Sequence, residues 1–100
     1  MPLLHAPARA RTRDDWARAL QQGLNDHLVS DCDGKLTLSQ FGMGNQGGRV
    51  AMASVIRLDW PPGIRSRRFD ANGSDEQAVF EQLLNQALFS FAKAWPGCVV

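Results

Sequence analysis

Apolar residues recur at two different periods along this chain, and the changes of period mark its elements. Trp16, Leu20, Leu24 and Leu28 fall one helical turn apart, with Gly23 and His27 beside them and Arg18, Gln21, Gln22, Asn25 and Asp26 opposite. That spacing predicts an amphipathic helix with one buried stripe and a solvated far face. Thr12 can cap it, and Asp15 stands at the third helical position, where an acid favours the positive end of the helix dipole. A second helix is expected after Ser74, which with Gln77 reads as a capping box, Asp75 and Glu76 filling the first turn. Phe80, Leu83, Leu84, Ala87, Leu88, Phe91 and Trp95 then share one face until Pro96 and Gly97 stop the helix.

Between the helices the period is two. Lys35 to Gln40 alternates as a half-buried strand with Leu36 and Leu38 inward, and Arg49 to Asp59 is the longest strand candidate. Its even positions, Val50, Met52, Ile56, Leu58 and Trp60, make a core-facing row interrupted by Ser54, while Ala51, Ala53, Val55, Arg57 and Asp59 point the other way. Gly42, Gly44, Gly47 and Gly48 predict a loop between these strands. Pro61-Pro62-Gly63 breaks the long strand, Ile64 to Phe69 returns antiparallel to it, and Asp70-Ala71-Asn72-Gly73 turns into the second helix.

The resulting α-β-β-β-α order predicts a single small α+β domain over residues 12–100: a three-stranded antiparallel sheet with two helices packed on one face. Residues 1–11, with two prolines and no acid or periodicity, read as a flexible arm. This order resembles that of double-stranded-RNA-binding domains, which contact phosphates at the start of their second helix. Here that position carries Ser74, Asp75 and Glu76, so the likeness is one of topology.

Composition narrows the function classes. At 100 residues and 44% apolar the chain can bury a core without a metal or disulfide framework. Eleven basic against ten acidic side chains leave a net charge of +1, so any basic footprint must be local. Arginine greatly outnumbers lysine and tyrosine is absent, the bias of a GC-rich bacterial or phage genome. Cys32 and Cys98 have no neighbouring Cys or His at zinc spacing and are expected to be free thiols. The first residues lack the apolar run of a signal peptide and no later stretch is long enough for a membrane span, so a cytoplasmic location is expected.

Gly42-Met43-Gly44-Asn45-Gln46-Gly47 spells G-x-G-x-x-G and resembles the dinucleotide fingerprint of Rossmann domains, which implies nucleotide binding. That fingerprint needs a helix starting inside it to offer amides to a pyrophosphate, and Arg49 to Leu58 alternates as a strand instead. A hairpin loop is the favoured reading. His5 and His27 have no nucleophile or acid placed to form a triad, and Asp31-Cys32-Asp33-Gly34 lacks the terminal glutamate of a calcium loop. Neither enzymatic activity nor a cofactor or metal is expected.

Arg57, Arg65, Arg67 and Arg68 gather across the hairpin from Arg49 to Phe69, with Trp60 at the strand end. One reading is an edge strand guarded by charge against edge-to-edge pairing; another is the Trp and Arg composition of a protein-binding hot spot. A protein-interaction module, an accessory adaptor or inhibitor acting through Trp60, Arg57, Arg65, Arg67 and Arg68, is the preferred functional expectation. Nucleic-acid binding through the same arginines plus Arg9, Arg11 and Arg13 is the alternative. Ala51, Ala53 and Val55 on the open sheet face would suit a second copy of the chain.

Overall fold

A computed structural model describes residues 12–29, 32–60 and 63–100, with Trp60 described by its backbone alone. The expected arm over residues 1–11, Asp31 and the Pro61-Pro62 break lie outside the described residues. Two helices and three strands follow in the expected order: α1 (Arg13–Asp26), β1 (Lys35–Gln46), β2 (Arg49–Trp60), β3 (Gly63–Gly73) and α2 (Glu76–Ala94). Both strand pairs are antiparallel, and β2 is central in a single sheet.

Helix α1 begins where its cap chemistry places it. Thr12 Oγ1 accepts from Asp15 N at 3.2 Å and Asp15 Oδ2 accepts from Thr12 N at 2.9 Å, a reciprocal capping box. Trp16, Leu20 and Leu24 are completely buried. Trp16 meets Phe80 of α2 with ring centroids 5.0 Å apart. Helix α2 starts one residue later than the sequence pattern suggests: its N-cap is Asp75, whose carboxylate accepts from Ala78 N at 3.0 Å, and the expected capping partner Gln77 instead donates to Glu81. The helix buries Val79, Phe80, Leu83, Ala87, Leu88 and Phe91; Leu84 is only half-buried.

The glycine segment is not a loop. β1 continues through Gly42 and Gly44 to Gln46, and the reversal occupies only Gly47 and Gly48, at φ 59° and 80°. A two-residue turn with both central residues at positive φ matches the twist of the strands it joins, and glycine adopts it without strain. β3 likewise extends past Phe69 to Gly73, absorbing the residues expected to form a turn.

Register explains how β1 can be so long and still bury one face. Pairing with β2 shifts between Leu38 and Gln40, a bulge that changes which residues point inward. Leu36 is buried before it and Phe41 after it. Without the extra residue Phe41 and Met43 would face solvent. The core therefore lies between the helices and one sheet face, with Val50, Met52, Ile56 and Leu58 along its middle. Ser54 sits among them, 1% exposed, its Oγ without a hydrogen-bond partner among the described residues.

Helix α1 packs along β1, and α2 covers β2 and β3. Two α1 side chains complete the outer edge of β1. Gln21 donates to Leu36 O at 2.9 Å and accepts from Leu38 N at 2.8 Å, and Arg13 donates to Phe41 O at 2.9 Å. Gln21, placed on the solvated face by its spacing, thus serves as a strand partner for the irregular stretch of β1.

The two cysteines are not free. Cys32 and Cys98 form a disulfide, with Cα atoms 5.8 Å apart. Their sequence neighbours carry no sign of the bond because the fold makes it. Val29 N donates to Cys98 O at 3.0 Å and Val100 N to His27 O at 2.8 Å, laying the C-terminal residues beside the exit of α1. His27 Nδ1 also lies 3.1 Å from Val100 O, so this half-buried histidine at the edge of the core contacts the C-terminal tail.

Candidate interaction surface

The pleat of the hairpin divides the arginines between two faces of the sheet. Arg65 is paired with Leu58 and Arg67 with Ile56, so both stand on the helix side. Arg68 pairs with Val55 and Arg57 with Ser66, which puts these two on the open face. There each has an acid beside it: Arg57 lies 3.5 Å from Asp59, and Arg68 3.5 Å from Asp70. Trp60 is the register partner of Gly63, two residues beyond Leu58, and its side chain lies outside the described residues. The five residues expected to form one patch are therefore not one surface.

On the helix side, Arg65 and Arg67 meet the last turns of α2. A recess of about 280 Å³ is lined there by Leu58, Arg65, Arg67, Ser90, Lys93, Ala94 and Trp95. Arg67 donates through Nη1 to Ser90 Oγ, which orients its guanidinium. The Arg65 guanidinium carbon lies 5.8 Å from the centroid of the Trp95 ring, a cation–π contact. Trp95 in turn packs tilted against Phe91, with ring centroids 4.9 Å apart, and donates its backbone N–H to Phe91 O, so the recess has an aromatic wall. Lys93 Nζ lies 5.8 Å from the ring of Phe89, which is 68% exposed.

Among the described residues no carboxylate lines the recess, and Arg65, Arg67 and Lys93 take part in no ion pair. Three cations beside an aromatic ring, with a hydroxyl already engaged, suit an anionic group that can accept forked guanidinium bonds. The volume falls just below the roughly 300–1,000 Å³ of a drug-sized ligand pocket, so the recess fits a side chain better than a cofactor.

Sequence reasoning found Arg65 and Arg67 and missed Ser90 and Lys93; it assigned Trp95 to the core, whereas the ring is half-buried. Ser90, Lys93 and Ala94 follow i, i+3, i+4 spacing along the border of the apolar stripe, a signal visible in the letters. What they border is not visible there.

The other motifs take structural places. Gly42 and Gly44 lie on the exposed side of β1, and a strand rather than a helix follows Gly47. The N-cap and first turn of α2 carry Asp75 and Glu76, which would repel duplex phosphates. Among the described residues no three His, Cys, Asp or Glu side chains gather to hold a metal, and no helix is long and apolar enough to cross a membrane. Comparison with family models, with curated proteins and with solved structures returns no match.

Proposed function

We propose that this chain is a non-enzymatic interaction module that docks a protein partner on the surface formed by β3 and the end of α2. The observation that carries the reading is that Arg65, Arg67 and Lys93 line one recess with Trp95, with no neutralising carboxylate among the described residues that line it. Arginine and tryptophan are the side chains that most often dominate binding energy at protein interfaces. Trp60 would extend the same end of the sheet by its strand position, while Arg57 and Arg68 are peripheral because each already has an acidic neighbour.

The cytoplasmic location expected from the lack of a signal-peptide run and of a membrane span is opposed by the Cys32–Cys98 bond, which favours an oxidising compartment, since cytosolic redox buffers keep thiols reduced.

Affinity capture from the organism that encodes the chain, followed by mass spectrometry, tests the reading. Replacing Arg65, Arg67 and Lys93 with alanine should weaken capture by about 2 kcal/mol or more, the scale of a hot spot. Arg18→Ala with Gln22→Ala on α1 should leave it unchanged. The reverse result would place the binding surface on α1. Capture of duplex nucleic acid with an affinity falling steeply with salt would instead favour the nucleic-acid alternative.

A further inference from the structure

The two edges of the sheet are not equivalent. On β1 the irregular stretch is already closed by Gln21 and Arg13. Among the described residues no backbone or side-chain hydrogen bond meets the outer edge of β3, and every residue from Gly63 to Arg68 is exposed. An open edge offers a row of unpaired N–H and C=O groups to another extended chain.

Charge decides which chain. Arg65 and Arg67 alternate along β3 and face the recess, Lys93 flanks them from α2, and no acid lines the site among the described residues. A second copy pairing through its own β3 would bring two sets of these arginines together, and like charges across adjacent strands oppose pairing. Carboxylates two residues apart on an incoming strand fall on one face with the arginines' own spacing.

We propose that the β3 edge binds an extended acidic segment of a partner protein by strand addition, its alternate carboxylates accepting from Arg65, Arg67 and Lys93. This rests on the docking surface proposed above and adds the ligand class and the mode. Backbone bonds to β3 supply the register. The guanidinium groups supply selectivity, with Ser90 holding Arg67 in place.

The test uses the full chain and a fluorescent peptide alternating threonine and glutamate, read by anisotropy. Binding is expected to weaken with salt, and by about tenfold or more with Arg65→Gln and Arg67→Gln combined. Methylating the strand-bonding nitrogens of the peptide should weaken it comparably. Equal binding of the glutamine version of the peptide would overturn the charge argument. Equal binding of a peptide of the same composition with its glutamates in one block would overturn strand addition. A dimer of the chain that excludes the peptide, seen by sedimentation, would make a second copy the occupant, and displacement by single-stranded DNA at a lower concentration than the peptide would make it a nucleic acid. If native capture requires Arg65, Arg67 and Lys93 but no acidic peptide binds, strand addition fails and the docking surface stands. If the peptide binds while native capture ignores those residues, the functional reading fails instead.

Discussion

Cys32 and Cys98 stand 66 residues apart in sequence and 5.8 Å apart at their Cα atoms. Their bond closes a loop that contains the whole sheet and α2. In a small domain such a cross-link removes much of the freedom of the unfolded chain. Replacing both cysteines with serine should lower stability by about 4 kcal/mol on the chain-entropy account. Urea denaturation with matched slopes checks it. A loss below about 1 kcal/mol, the size of an ordinary substitution, would mean that the packed elements hold the tail unaided.

The two helices pack closely at Gly23, where an added Cβ would lie 3.0 and 3.2 Å from the Leu84 methyl groups. Leu84 is half-buried and can yield to one methyl, but not to a branched side chain. Gly23→Val is therefore expected to destabilise by about 1–3 kcal/mol, the usual penalty for overpacking. In a Leu84→Ala background the same change should do less harm, with a coupling of at least about 0.5 kcal/mol. Additive losses would show that the contact does not set the helix spacing.

Ser54 interrupts the apolar row of β2 between Phe41 on β1 and Phe69 on β3. Its buried hydroxyl lacks a partner among the described residues, and leaving such a group unsatisfied costs about 1–3 kcal/mol. Ser54→Ala should raise stability by about 1 kcal/mol, allowing for the small void left behind. Thermal unfolding measures this, and a lower midpoint would indicate that the hydroxyl has a role in the native state.

Asp75 caps α2 and its neighbour Ser74 does not. Asp75→Ala should cost about 1 kcal/mol, the usual value of an N-cap. Ser74→Ala should stay within about 0.5 kcal/mol, as for an exposed position with no such role. Equal losses at the two sites would restore the capping box read from the letters.

On the functional side the sequence marked Arg65 and Arg67 because guanidinium groups clustered beside a strand are conspicuous in one dimension. It grouped them with Arg57 and Arg68, which the pleat of the sheet sends to the opposite face. Ser90, Lys93 and Trp95 complete the recess only because the end of α2 crosses β3.

Local interactions are what the sequence by itself determined. The Thr12 and Asp15 cap, the Trp16, Leu20 and Leu24 stripe, the row from Val50 to Leu58 and the order of the elements all depend on residues within a turn or a pleat of one another. Contacts between distant segments were decided by the tertiary structure. Gly42 and Gly44 are poor strand formers, yet pairing with β2 carries β1 through them. The bulge after Leu38 exists because Phe41 must reach the same core as Leu36, a demand set by the helices. The disulfide, the Gln21 bonds to β1 and the split of the arginines have the same origin: each requires partners that come together only when hydrophobic burial has folded the chain.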